Sequence, residues 1–207
     1  MTTGTVAIID YGMGNLRSVQ NAITHLGFTS DIVSIPEQLN HYDKIILPGV
    51  GAFGQAIECL LRSGMAEGLT LRKNNGAHIL GICLGMQLMC KTSEEDGNHQ
   101  GLGWFDAEVI RLPEMQGLPV PHIGWNGVDI KKDDPIFTNI QSGEDAYFVH
   151  SYHVVCNHQE DILASTDYGS EFTSIIQHDN LRGIQFHPEK SQQFGLNLIK
   201  NYLEIAC

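Results

Sequence analysis

With 207 residues the chain can bury roughly 70% of its unfolded surface around one core, so a single domain over 1–207 is expected. Acidic residues outnumber basic ones by 24 to 12, and the net charge of -12 argues against nucleic acid or an anionic membrane as partner, because Lys and Arg supply the sequence-independent attraction to both. No basic segment followed by an apolar one opens the chain and no apolar run approaches a membrane span, which points to the cytoplasm.

Val6 to Ile9 predicts a buried strand, and Leu16, Val19, Ile23 and Leu26 keep a helical period from about Asn15 to Leu26. Thr29 to Val33 and Lys44 to Leu47 are the next strands, the second stopped by Pro48 and Gly49, and Gln55 to Leu61 reads as helix. His78 to Ile82 is a strand that leads to Cys83, with a helix after it to about Lys91. This βαβ-like half implies a parallel sheet with helices on both faces. The pattern then changes. Trp104 to Leu112, Val128 to Ile130, Tyr147 to Val155, Ile162 to Ser165, Thr173 to Gln177 and Arg182 to Phe186 read as strands joined by turns. About Ser191 to Ile205 is a last helix that turns Phe194, Leu198 and Ile199 inward. The expected fold is α/β, a mostly parallel central sheet flanked by helices, with antiparallel strands in the C-terminal half.

Residues 81–87, GICLGMQ, set Cys83 between two glycines after an apolar strand and before a helix. That is the layout of a nucleophile elbow: Gly81 and Gly85 let strand and helix crowd together, and the turn lifts the nucleophile into the open. The helix that starts at Leu84 points its free N–H groups at the sulfur, which favours the thiolate, and the Leu84 amide can donate to a developing oxyanion. About a hundred residues later QFHPEKS offers His187 and Glu189 on either side of Pro188. Proline bars a helix there, and residues i and i+2 of an extended backbone project from one side. His187 can take and return a proton while Glu189 fixes its tautomer and stabilises the imidazolium.

Cys59, Cys83, Cys90, Cys156 and Cys207 are odd in number and include no CxxC pair, so neither a disulfide framework nor a zinc site is suggested. His150 and His153 sit three apart in one predicted strand and face opposite ways, and metal ligation is not expected. DYGMGN lacks the third glycine and the spaced acid of a dinucleotide loop. No cofactor is implied.

The cysteine elbow together with HPE after a strand resembles the class I, triad type, glutamine amidotransferases. The resemblance covers nearly the whole chain through DYGMGNLRS (10–18), LPGVGAFG (47–54), GICLGMQ, PHIGWN (121–126), YFVHSY (147–152) and QFHPEKS. DYGMGN, PHIGWN and HPEKS narrow it to glutaminase subunits that serve a (βα)8-barrel cyclase of histidine biosynthesis. Ile123 stands where many such relatives carry methionine, a volume-conserving exchange. The resemblance implies a Cys83–His187–Glu189 triad, an oxyanion hole from the Leu84 amide and the Pro48–Gly51 stretch with Val50 and Gly51, and glutamine contacts at Ser151 and Tyr152, while Gln87, four residues after Cys83 on the same helical face, is within reach of the substrate's α-carboxylate or amino group. It further implies a heterodimer with the cyclase, docked through Asn15, His122, Trp125, Asn126 and Lys190. Two other readings stay open: a paralogous glutaminase that feeds a different barrel synthase, such as a surface-sugar amidotransferase, and a non-enzymatic module with Cys83 as a redox-sensing thiol. Retention of His187 and Glu189 speaks against the second, because a sensor needs no proton shuttle.

Overall fold

The computed structural model describes residues 4–206; Cys207, counted among the cysteines above, lies outside them. In chain order the strands are β1 (Val6–Ile9), β2 (Ser30–Val33), β3 (Lys44–Gly49), β4 (His78–Cys83), β5 (Cys90–Ser93), β6 (His99–Gln100), β7 (Phe105–Arg111), β8 (His122–Ile130), β9 (Glu144–His150), β10 (Tyr152–Cys156), β11 (Ile162–Asp167), β12 (Glu171–His178) and β13 (Leu181–Ile184). The helices are α1 (Leu16–His25), α2 (Phe53–Arg62), α3 (Met65–Asn74), α4 (Leu84–Leu88) and α5 (Gln192–Glu204).

The sheet runs β2-β1-β3-β4-β13-β12-β10-β7-β5-β6, and β11, β8 and β9 branch from β12. β2, β1, β3, β4 and β13 are parallel, and antiparallel pairing begins where β12 meets β13. The inner parallel strands β1, β3, β4 and β13 are buried on both faces and divide their residues between two layers, whereas the edge strand β2 buries only Val33. Val6 and Ile8 of β1, with Ile46 of β3, pack under Val19 and Ile23 of α1 and Leu198, Ile199 and Tyr202 of α5. Ala7, Ile9, Ile45 and Leu47 face Phe53 and Leu60 of α2, Met65 and Leu69 of α3, and Leu84 of α4. The α/β architecture with an antiparallel C-terminal half is the one expected.

Several boundaries differ. α4 ends at Leu88 and does not run to Lys91, because segment 101–105 takes the carbonyls that the helix would leave free: Leu102 N donates to Leu88 O at 2.8 Å and Trp104 N to Met89 O at 2.8 Å. The chain beyond Met89 is therefore β5, parallel to β7. Tyr147 to Val155 is two strands, broken at Ser151, so His150 and His153 do not share one ladder. Val128 to Ile130 is the end of the longer β8, whose seven-pair register with β9 organises PHIGWN. α3 had no sequence signal of the expected kind, since only Met65, Ala66 and Leu69 of its ten residues are buried.

Candidate active site

β4 delivers Cys83 to a turn that small residues make possible. A Cβ on Gly81 would stand 2.7 Å from the Gly85 carbonyl and the Met86 amide, and one on Gly85 would fall inside the Leu47 carbonyl. Strand and helix therefore pack backbone to backbone, and Cys83 takes φ 54 and ψ -112, a strained conformation for a residue with a side chain. β3 runs beside β4 with Gly49 opposite Cys83, which brings the Pro48–Gly51 stretch up to the Cys83 turn.

Cys83 opens into a cavity of about 560 Å³ that Val50, Gly51, Leu84, Gln87, Ser151, Tyr152 and His187 also line, together with Asn15 and Lys190. Gly51 holds φ +97 and Val50 is exposed. Glu189 is buried beside His187, with Nδ1 to Oε1 at 2.9 Å and side chains 3% and 1% exposed. The expected extended backbone through Pro188 is not what joins them. Pro188 instead opens a single 3-10 turn, Pro188–Lys190, with His187 as its extended N-cap; proline is tolerated at that first position because its missing N–H would have no partner there. Ser191 Oγ ties the turn down by donating to His187 O at 2.7 Å and accepting from Tyr147 N at 2.9 Å.

Burial by itself would lower the His187 pKa. Hydrogen bonds to Cys83 and Glu189, reinforced by their charges, outweigh it and raise the value from 6.5 to about 9. His187 is thus held as an imidazolium between a sulfur and a carboxylate, the arrangement of an activated cysteine nucleophile.

Gln87 is buried, and its amide nitrogen donates to Tyr152 O at 2.9 Å and to Gln185 Oε1 at 3.1 Å. Both amide hydrogens are therefore engaged, and only Oε1, an acceptor, remains for a ligand. Gln185, 0% exposed, directs its own Nε2 toward Cys83 Sγ at 4.0 Å. The sequence reading missed it, although Gln185 and His187 are two apart at the end of a strand and share a side. It also missed Glu95 and His150, which line the same cavity. Glu95 accepts from Phe53 N at 2.7 Å, and burial, ahead of smaller effects, raises its pKa. Nothing in the spacing of SEEDGNHQ marks it.

The docking candidates divide. Trp125 is 47% exposed and meets Tyr147 edge-on at 5.8 Å, and Lys190 Nζ lies 5.8 Å from the same Tyr147 ring. Asn126 is half-buried and donates to Asp167 O at 2.7 Å. His122 is not on the surface as expected of a docking candidate: it is 2% exposed, on the inward side of β8, stacked on Tyr168 at 3.9 Å and Phe148 at 4.9 Å. The alternation of β8 explains this, since Ile123, the next residue, is 61% exposed.

A cysteine elbow on the fourth parallel strand, with a buried His–Glu pair brought alongside by the strand next to it, is the layout of an α/β enzyme of the cysteine-nucleophile class. The chain belongs to the class-I glutamine amidotransferases, whose family model matches residues 7–205. Its curated relatives include two proteins named imidazole glycerol phosphate synthase subunit HisH. The one from Caldanaerobacter subterraneus subsp. tengcongensis is 46% identical over 98% of this chain and 99% of its own length. The one from Syntrophotalea carbinolica is also 46% identical, over 95% and 98%. Among solved structures, PurLQS from Thermotoga maritima superposes with a TM-score of 0.77 at 20% identity over 97% of both chains, a likeness of fold alone.

Proposed function

We propose that this chain is the glutaminase subunit of an imidazole glycerol phosphate synthase. It hydrolyses L-glutamine to glutamate and ammonia and passes the ammonia to a (βα)8-barrel cyclase subunit, its partner in a heterodimer. The cyclase uses it to make imidazole glycerol phosphate and aminoimidazole carboxamide ribonucleotide. The observation that carries this reading is the meeting of Cys83 and His187 at one cavity, with Glu189 bonded to the far side of the His187 ring, in a chain 46% identical, over nearly its whole length, to a protein named imidazole glycerol phosphate synthase subunit HisH. The whole chain acts as one amidotransferase domain, in the cytoplasm, where that pathway runs.

The Cys83 thiolate attacks the side-chain carboxamide, and the Leu84 amide with those of Val50 and Gly51 receives the oxyanion. His187 protonates the departing ammonia. Once the sulfur is acylated it no longer holds the proton on His187 by charge, so burial draws the imidazole pKa down. The same residue then serves as base for the water that cleaves the thioester. Glu95 supplies a carboxylate for the substrate's α-ammonium, Gln87 Oε1 accepts from the same group, and Ser151 and Tyr152 border the chain of the amino acid.

Asn15 and Lys190 line the catalytic cavity, and the Lys190–Tyr147–Trp125 contacts continue from it across the surface. A cyclase docked on that face, with Asn126 at its margin, covers the mouth from which ammonia leaves. His122 is left out of it. The test is glutamine-dependent formation of imidazole glycerol phosphate by this chain mixed with a histidine-pathway cyclase and its ribonucleotide substrate. Product is expected with glutamine at a neutral pH where free ammonium at the same concentration yields little; product that appears only with ammonium would overturn the assignment.

A further inference from the structure

Beside the catalytic cavity lies a buried pair of histidines that the chemistry above does not use. His122 Nδ1 is 3.2 Å from His150 Nε2, and His150 Nδ1 is 2.9 Å from Tyr152 O. A carbonyl only accepts, so His150 carries its hydrogen on Nδ1 and presents a bare Nε2, which obliges His122 to donate from Nδ1. Burial first of all lowers both pKa values, to about 4 for His122 and about 3 for His150, so both rings are neutral at pH 7 and these tautomers are fixed by their partners.

The end of this chain is a carbonyl that the sheet leaves unpaired. Leu112 N donates to Ser151 O at 2.8 Å, which makes Tyr152 and Arg111 a non-hydrogen-bonded pair and turns the Tyr152 carbonyl away from β7. On its other side β10 meets β12 through one pair, Val154 with Thr173. Side chains take the place of a ladder there: His150 and Gln87 both donate to Tyr152 O. With its nitrogen held by that carbonyl and by Gln185 Oε1, Gln87 has one orientation, and Gln185 in turn must aim Nε2 at Cys83.

We propose that His122 and His150 are positioning residues for glutamine recognition: as a hydrogen-bonded pair they pin the Tyr152 carbonyl, which fixes Gln87 with Oε1 toward the substrate's α-ammonium and Gln185 with Nε2 toward Cys83. The inference rests on the glutaminase reading for its substrate. The pair also begins on β8, where His122 alternates with exposed Ile123, so whatever presses on that strand reaches the substrate pocket through one ring.

Two variants separate hydrogen bond from packing. His122→Phe keeps a ring for Tyr168 and Phe148 to stack on and removes the donor; His122→Asn keeps a donor near the Nδ1 position and removes the ring. The full chain is labelled at Cys83 with acivicin, a glutamine-shaped electrophile, and half-saturating concentration is separated from maximal rate by intact mass. The expected result is a roughly fivefold to tenfold higher half-saturating concentration for His122→Phe, the equivalent of one neutral hydrogen bond, with maximal rate nearly unchanged and near-wild-type values for His122→Asn. Equal loss in both variants would overturn the proposal, as would no loss in either. Nitrogen-15 spectra of the wild-type imidazoles give a readout independent of the substrate: both rings should carry hydrogen on Nδ1, and a hydrogen on Nε2 of either contradicts the pair as drawn. If wild-type Cys83 is not labelled at all, the glutaminase reading fails while the spectra still decide the tautomers.

Discussion

His187 Nδ1 and Glu189 Oε1 lie 2.9 Å apart although only Pro188 separates the two residues in sequence. The contact exists because the 3-10 turn at Pro188–Lys190 folds the carboxylate back under the ring, and Ser191 fastens that turn to β9. Glu189 Oε2 finds no hydrogen-bond partner among the described residues, so its charge is directed at His187. Glu189→Gln keeps the shape and removes that charge. Glutamate release should fall by about 10³-fold to 10⁴-fold, with the thermal midpoint changed little, as for other triads whose orienting carboxylate is neutralised. Steady-state kinetics beside a melting curve checks both parts.

The pKa of about 9 on His187 lies above the 6.5 of an unperturbed histidine, so the fold favours the protonated ring. Its stabilising contribution is fully present below about pH 6.5 and is lost as pH rises through about 9. Acylation of Cys83 needs that proton for the leaving ammonia and should slow above about pH 9. In Cys83→Ala the sulfur's hydrogen bond and charge are gone while burial remains. The imidazole titration followed by proton NMR should then move down from the wild-type midpoint; an unchanged midpoint would detach His187 from the cysteine.

Gly85→Ala would drive a Cβ into the Leu47 carbonyl, a backbone group that has no rotamer by which to yield. The cost should be about 1–3 kcal/mol of stability, together with loss of activity as α4 shifts away from the elbow. Chemical denaturation supplies the first number. Gly4→Ala, whose Cβ would meet nothing within 4 Å, is the control and should be silent.

Trp125 is a large ring, 47% exposed, that meets Tyr147 edge-on on the face continuous with the cavity mouth through Lys190. Trp125→Ala should leave the melting temperature of the isolated chain nearly unchanged and weaken cyclase binding by about 2 kcal/mol, roughly 30-fold in affinity. Titration calorimetry with the purified cyclase reads this directly.

The parallel half of the fold was legible because β1, β3 and β4 are short apolar runs, with β3 stopped by Pro48–Gly49 and β4 by the Cys83 elbow. The elbow and HPE were legible because glycine and proline mark backbone geometry and the reacting groups sit beside them. What escaped was set by tertiary contact. α4 stops at Leu88 because segment 101–105 claims its last carbonyls, a pairing with no local trace. Glu95 reaches the cavity from a loop, and His150 reaches it only because β9 and β10 part at Ser151. His122 read as a surface residue because PHIGWN was not recognised as strand, and strand alternation is what turns it inward.

The most direct test is glutamate release from glutamine by the complex with the barrel cyclase, loaded with its ribonucleotide substrate, for the wild-type chain and for Cys83→Ala. Turnover in the first and none in the second is the predicted result, with a γ-glutamyl adduct on Cys83 detectable by mass spectrometry after rapid acid quench. Equal glutamate release by both chains would contradict Cys83 as the nucleophile and with it the catalytic role assigned to this cavity.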